Sequence, residues 1–305
     1  PAFADAGAEL AVVAGGSGPS AETAVREGGF ARFAAGDDEL IADGSVDAVV
    51  IATRHDTHAD LAARALRAGR HVFCEKPLAL DSSELDRVLA AAAEAGRVLT
   101  VGFNRRFSPH VRAIREMASR VDSPLAAVYR VSAGQVAAGS WVQDLDEGGG
   151  RIVGECCHFL DTLAFVVGSP ITEVHAAGFG APGQPVQARD NLMIAATFGD
   201  GSVGTVAYVA QGSPSVPKER LEVFAGTRTA VLDDYVTLEV HDGSDRSRDR
   251  LRKQDKGHRA EAAAFLDAVR HGRNPIPLDQ IDNVHRACFA AVESLMTGAP
   301  VRIAA

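Results

Sequence analysis

The sequence predicts an α/β domain on a parallel sheet over residues 1–121, followed by an α+β domain on a largely antiparallel sheet over residues 122–305. Three observations carry this. Val46 to Thr53 is a near-continuous apolar run, as a strand buried on both faces requires. Short β-branched runs alternate with helical patterns through the first third, the mark of right-handed βαβ units. After about Asp122, strand candidates follow one another, and the short link at Gly199-Asp200-Gly201 reads as a hairpin turn.

In order, Leu10 to Ala14 reads as a strand, followed by a Gly/Ser turn and a helix from about Ser20. After the apolar run, Thr57 to Ala68 is helical, with Leu61, Ala65 and Leu66 on one face, and His71 to Cys74 is a short strand. Asp81, with Glu84 three residues later, opens a helix to Ala95 in the manner of a capping box. Val98 to Phe103 is the next strand. In the second part Ala126 to Ser132, Asn191 to Phe198, Ser202 to Val209, Leu221 to Ala225 and Ala230 to Leu232 read as strands. Ile152 to Val167, Arg259 to His271 and Gln280 to Met296 read as helices. No linker marks the boundary near residue 122; only the pattern changes.

A chain of 305 residues is long enough for two cores, since single cores stop growing near roughly 250–300 residues. The net charge of −9 argues against a broad nucleic-acid surface, which needs clustered Lys and Arg. Arg246 to Lys256 is basic, but aspartates interleave it and it reads as a solvated loop. Cys74, Cys156, Cys157 and Cys288 have no CxxC spacing, so neither a zinc site nor a disulfide framework is expected. No apolar run approaches the roughly 18 residues of a membrane span and no signal peptide is visible, so no membrane contact and a cytoplasmic location are expected. Pro1 opens inside what reads as a helix end, with no initial Met, so a fragment of a longer chain is expected.

In an open parallel sheet, ligands bind beyond the carboxyl ends of the strands. Three segments put polar residues there: Ala52 to His58, Cys74 to Pro77, and Gly102 to Phe107. Lys76 precedes a proline, which confines its backbone to extended conformations. A lysine at that edge can hydrogen-bond a substrate hydroxyl and stabilise a developing alkoxide, and Glu75 can hold or tune its ammonium. Gly148-Gly149-Gly150 allows close backbone approach and leads into a helix carrying Glu155, His158 and Asp161. His158 is the natural proton acceptor, its reference pKa being about 6.5. A surface salt bridge for Lys76 and a core position for His158 stay open at this point.

Val49-Val50-Ile51-Ala52-Thr53, His58, Glu75-Lys76-Pro77, Val101-Gly102-Phe103-Asn104-Arg105-Arg106 and the Gly148 to Asp161 segment, in this order and spacing, resemble the Gfo/Idh/MocA oxidoreductases, the glucose–fructose oxidoreductase and inositol dehydrogenase type. The resemblance spans nearly the whole chain. It implies a Rossmann domain carrying NAD or NADP, and a second domain whose open sheet face forms a dimer or tetramer. It also implies hydride transfer between nicotinamide and a secondary alcohol of a sugar, cyclitol or related polyol. Lys76 would contact the substrate hydroxyl and the nicotinamide ribose, and His158 would be the general base. Thr53, Arg54, His58, Glu75 and Asn104 would serve the dinucleotide. Arg106, Trp141 and His258 are candidate substrate contacts. Ala52-Thr53-Arg54-His55-Asp56 and the Gly102 to Pro109 stretch resemble a subgroup in which such a domain forms the C-terminal half of a longer chain.

Three departures from the family pattern stand out. The opening strand and its Gly-rich phosphate loop are missing, so an N-terminally truncated Rossmann domain with weakened cofactor binding is expected. Arg54-His55 stands where many members have Pro-Asn, and Arg54 can clamp an anionic group. The usual Asp four residues before the catalytic His is Gly154, with Glu155 as the candidate substitute. Ala14 to Gly18 offers no acid for a ribose diol, and Ser17 with flanking amides tilts the expectation towards NADP. Two other readings stay open: a non-catalytic ligand-binding or assembly domain, and a hydrolase that uses its cofactor for elimination–addition.

Overall fold

The computed structural model describes residues 1–15, 19–137 and 139–303. The first part runs α1 (Ala2–Asp5), β1 (Val12–Val13), α2 (Pro19–Gly28), β2 (Arg32–Phe33), α3 (Asp37–Ala42), β3 (Ala48–Ile51), α4 (His55–Arg67), β4 (His71–Cys74), α5 (Ser82–Ala95) and β5 (Leu99–Val101). β3, β4 and β5 form one parallel sheet and β1 pairs parallel with β2; among the described residues no ladder joins the two. Val72, Cys74, Leu99 and Val101 of β4 and β5 are fully buried, as an apolar strand covered on both faces must be. At α5 the N-cap bond of the expected capping box forms, Asp81 Oδ1 accepting from Glu84 N at 2.9 Å, while Glu84 Oε2 accepts at 2.9 Å from Leu80 N, one residue before the cap.

A 3-10 turn (Asn104–Phe107) and α6 (Pro109–Ala118) lead to the second part. Its elements are β6 (Ala126–Ser132), α7 (Cys157–Val167), β7 (Ile171–Phe179), β8 (Asn191–Phe198), β9 (Val203–Val209), β10 (Glu219–Ala225), β11 (Arg228–Asp233), β12 (Thr237–Asp242), β13 (Asp245–Arg250), α8 (His258–His271), α9 (Leu278–Thr297) and β14 (Val301–Arg302). The strands form one nine-stranded sheet in the order β13-β12-β11-β10-β6-β9-β8-β7-β14. The β6–β9 ladder is parallel and the others are antiparallel.

Two expectations are corrected here. The mixed-charge stretch read as a loop contains β13, an edge strand exposed along its length. Its charges pair across the ladder: Arg248 stands opposite Glu239, and Arg246 Nη2 lies 2.8 Å from Glu239 Oε2. Charged side chains are what an edge strand carries to block further pairing. The helix expected over Ile152 to Val167 begins instead as a π-helical turn, Ile152–Cys156, which passes into α7.

The last two helices tie the parts together. Phe265 on α8 meets Phe3 and Phe73 in edge-on ring contacts at 6.0 and 5.7 Å. On α9, His285 Nε2 accepts from Leu78 N at 3.0 Å. No helix of the described residues is long and apolar enough to cross a membrane.

Candidate active site

β4 ends at Cys74 and delivers Glu75, Lys76 and Pro77 to the carboxyl edge of the sheet. The turn that follows is held from both sides. His58 Nδ1 lies 2.7 Å from Pro77 O, and Leu78 N donates to His285. Because Leu78 N–H is the donor, His285 Nε2 must be the lone-pair nitrogen, and its Nδ1–H donates to Ile281 O at 2.7 Å. Burial brings the His285 pKa down to about 4, so the ring stays neutral in that role.

The lysine side chain crosses from this turn to the π turn. Lys76 Nζ donates to Gly154 O and to Glu155 Oε1, both at 2.6 Å. The wider π turn offsets backbone carbonyls from their α-helical partners, a feature frequent at functional sites. Burial alone would raise the Glu155 pKa, but the charge and hydrogen bond of Lys76, with Arg151, hold it below the usual range. The Glu155 carboxylate is therefore favoured beside Lys76.

The glycines before the π turn are required by close packing. Gly149 and Gly150 have φ of 71° and 72°, and a Cβ there would lie 2.6 Å from Leu80 Cδ2 and 2.9 Å from Gln187 O. At Gly154 a Cβ would lie 2.8 Å from Gly148 O and 3.2 Å from His55 Cε1. An aspartate cannot stand there unless its neighbours move, which accounts for the departure seen in the sequence.

His158, one turn on, is 7 % exposed and its Nδ1 has no partner among the described residues. Burial, then the charges of Arg105, Lys76, His258 and Lys256, push its pKa well below the ordinary histidine value. It is a neutral imidazole whose Nδ1 is buried without a partner among the described residues. Glu155, expected to partner it, instead takes Lys76; no hydrogen bond joins Glu155 to His158 among the described residues.

Behind His158 lies a buried polar cluster that sequence reasoning missed. Arg105 donates to both Glu219 oxygens, Nε to Oε2 at 2.8 Å and Nη2 to Oε1 at 2.9 Å. Lys256 Nζ donates to Glu219 Oε1 at 2.7 Å and Tyr129 OH to Oε2 at 2.7 Å. Burial opposes the Glu219 charge, but Arg105 and Lys256 outweigh it and bring its pKa to about 2. Glu261 is a second omission. It is 3 % exposed, its Oε1 lacks a partner, and burial followed by the charges of Glu75 and Asp161 raises its pKa far above the carboxylate range. It is a neutral acid in the first turn of α8, where the sequence shows only an ordinary acidic residue near a helix start.

Several expected site residues are occupied elsewhere. Arg106 is buried in a bidentate pair with Asp161, at 3.1 and 2.5 Å, and also donates to Gln280 at 2.8 Å. It is a strut between α7 and α9. Asn104 is buried and donates to Lys256 O at 2.8 Å. His58 is 1 % exposed with both ring nitrogens facing backbone carbonyls, Pro77 O and Thr53 O at 2.7 and 3.2 Å, so it braces the two turns. Arg54 is paired with Glu147 at 2.5 Å and lies 6.0 Å from the Trp141 ring centroid, so its guanidinium is not a free anion clamp. Trp141 meets His55 edge-on at 4.8 Å. Thr53 is exposed at the sheet edge, its hydroxyl 2.6 Å from that of Thr57. Glu75 is half-buried against Gly102, where a Cβ would sit 2.8 Å from its Oε2, and burial raises its pKa. His258 is exposed at the start of α8. Ser17 lies outside the described residues. Among the described residues no group of three or more His, Cys, Asp or Glu is arranged to hold a metal ion.

The sequence model of the oxidoreductase family with an NAD-binding Rossmann fold, Gfo/Idh/MocA, matches residues 2–103, and that of the Gfo/Idh/MocA C-terminal domain matches residues 113–230. The chain belongs to the Gfo/Idh/MocA family. It is an NAD(P)-dependent oxidoreductase, with a Rossmann domain followed by a domain on a mostly antiparallel sheet. It is 27 % identical over 311 residues to a scyllo-inositol 2-dehydrogenase (NAD(+)) of Bacillus subtilis, covering 97 % of this chain and 89 % of that one. It is 26 % identical over 248 residues to the myo-inositol 2-dehydrogenase of Thermotoga maritima, covering 78 % and 73 %. A levoglucosan dehydrogenase solved with NADH and levoglucosan shares the fold, with a TM-score of 0.87 at 22 % identity, covering 99 % and 94 %. The Gfo/Idh/MocA match begins at residue 2 and so gives no support to the expected loss of the first Rossmann strand.

A nicotinamide fits the reaction end of this edge, because a neutral unpartnered imidazole and a held ammonium are the groups an alcohol oxidation needs. At the ribose end, Ala14 and Gly15 after β1 offer neither acid nor base.

Proposed function

We propose that the chain oxidises a secondary alcohol of a sugar, cyclitol or related polyol, or reduces the corresponding ketone, with a nicotinamide dinucleotide. One observation carries the reading: His158 is a neutral, buried imidazole with an unpartnered nitrogen, in the field of an ammonium fixed at the carboxyl edge of a Rossmann sheet. Relatives named for inositol and levoglucosan support the substrate class. The bound cofactor supplies the hydride acceptor. Lys76, already held by two oxygen atoms, hydrogen-bonds the substrate hydroxyl through its remaining proton. The His158 imidazole takes the hydroxyl proton, and the cations of Lys76, Arg105 and Lys256 favour the alkoxide over the alcohol. Glu155 directs the Lys76 side chain, the holding role the sequence suggested for Glu75.

Three finer parts belong to the same reading. We divide the chain near residue 121, with α8 and α9 packing back across the boundary. We place one further strand between β1 and β3, since no ladder joins the two parallel sheets among the described residues and Val50 of β3 is 46 % exposed. We assign the outer face of the nine-stranded sheet, with Val128, Met193, Val203 and Phe224 exposed, to a second copy of the chain in a dimer or tetramer. The expectation of NADP rests on Ser17, whereas one relative is named for NAD(+) and one neighbour was solved with NADH, so the ratio of kcat/KM for the two cofactors decides it.

A panel of neutral sugars, inositols and anhydrosugars, each with NAD⁺ and NADP⁺ and read by formation of the reduced nicotinamide, tests the reading. Turnover of at least one alcohol is expected. Nucleotide binding without turnover of any alcohol would overturn it.

A further inference from the structure

We infer that His55 is a positioning residue of this site, acting through the Gly154 carbonyl to hold Lys76 in place. The inference rests on the reading of Lys76 as the group that meets the substrate hydroxyl.

The sequence departs from the Gfo/Idh/MocA pattern at His55 and at Gly154, positions 99 residues apart. In the fold the two departures touch. A Cβ on Gly154 would stand 3.2 Å from His55 Cε1 and 3.4 Å from its Nδ1, so the imidazole edge occupies the room a side chain at 154 would take. Cβ contacts that short are rare in close-packed interiors, so the ring is a wall of the π turn.

Two contacts fix the ring itself. It opens α4, is 7 % exposed, and lies edge-on to Trp141 at 4.8 Å. Its Nδ1 is 2.9 Å from Gly148 O. Since that oxygen can only accept, Nδ1 carries the proton and Nε2 the lone pair. Burial brings the His55 pKa to about 4, with the Gly148 carbonyl opposing and Lys76 and His58 adding to the fall, so the ring stays neutral near pH 7.

Gly148 O is the second wall of Gly154, 2.8 Å from the place of its missing Cβ. His55 therefore fixes that oxygen by hydrogen bond and closes the remaining space with its ring. What the two walls hold is the peptide whose carbonyl accepts from Lys76 Nζ at 2.6 Å. A displacement of about 1 Å in a group that orients a substrate can cost on the order of a hundredfold in rate.

The test compares His55→Ala with His55→Asn, whose amide can still donate to Gly148 O. The chain has four lysines, Lys76, Lys218, Lys253 and Lys256, so the Cε–Nζ correlations of isotopically labelled lysine resolve Lys76, assigned by its loss in Lys76→Arg. In His55→Ala the Lys76 signal should shift while those of Lys218 and Lys253 stay in place. In the same variant kcat should fall at least about tenfold, with KM for the dinucleotide within about twofold. His55→Asn should restore the Lys76 signal and most of kcat. An unmoved Lys76 signal in folded His55→Ala, or an Asn variant no better than Ala, overturns the inference; if Ala does not fold, the Asn variant is judged against wild type on the same two readouts. The NMR arm needs no substrate, so failure to find any turnover in the wild-type enzyme sinks the proposed function and leaves this inference separately decided.

Discussion

Glu219→Gln is the sharpest perturbation of the framework behind the site. Glu219 is 1 % exposed and accepts from Arg105, Lys256 and Tyr129, with four bonds between 2.7 and 2.9 Å. The amide keeps the shape but removes the charge, leaving Arg105 and Lys256 uncompensated in a buried setting. Breaking one side of a buried pair costs about 3–5 kcal/mol. The carboxyl pKa gives an independent measure. Its fall from the ordinary 4.5 to about 2 corresponds to about 3 kcal/mol, at about 1.4 kcal/mol per pH unit. For 305 residues, with an unfolding entropy of about 2.1 cal/mol/K per residue, 3 kcal/mol is about 5 °C in Tm. The sign follows from a depressed carboxylate: the stabilisation is complete above pH 4.5 and is lost as pH falls through about 2. Scanning calorimetry of both proteins should therefore show a gap of about 5 °C at pH 7 that narrows below pH 4.5. A gap under about 1 °C at pH 7, or a more stable variant, would refute the reasoning.

Two further outcomes follow from the same geometry. Because burial and neighbouring cations depress the His158 pKa, the acid limb of kcat/KM for alcohol oxidation should lie well below pH 6.5; Lys256→Met removes one of those cations and should move the limb to higher pH, and a shift to lower pH would contradict the assignment. Gly154→Ala places a methyl 2.8 Å from Gly148 O, so overpacking should cost about 1–3 kcal/mol in denaturant unfolding and lower kcat as the carbonyl that holds Lys76 moves; an unchanged midpoint would show that the π turn yields freely.

What was legible in the sequence is what short-range chemistry decides. The apolar run at Val46 to Thr53 contains β3, and Asp81 caps α5 by accepting from Glu84 N. Lys76 at a strand's carboxyl end was visible because a strand, a polar pair and a proline stand together. β7 was missed because its Thr, Glu, His and Gly residues break the apolar alternation and a bulge interrupts its register. β13 was missed because an edge strand can be charged throughout. The π turn was invisible because Ile152 to Val167 keeps an unbroken helical pattern while its geometry is set by packing against Gly148 and His55. The expected site residues found in structural pairs share one cause. Arg106 and Asn104 are polar residues at the carboxyl edge, and only distant partners, Asp161 and the Lys256 carbonyl, show that they are struts. Glu219 lies 114 residues from Arg105, beyond the reach of any local pattern.

The central claim is that Lys76 and His158 act on the substrate hydroxyl and not on the fold. Steady-state turnover of Lys76→Ala and His158→Ala, set beside dinucleotide binding read by reduced-nicotinamide fluorescence, tests it most directly. The account predicts that each variant loses on the order of 10² to 10⁴ in kcat while the dinucleotide Kd changes little. Near-normal kcat in either variant would contradict it.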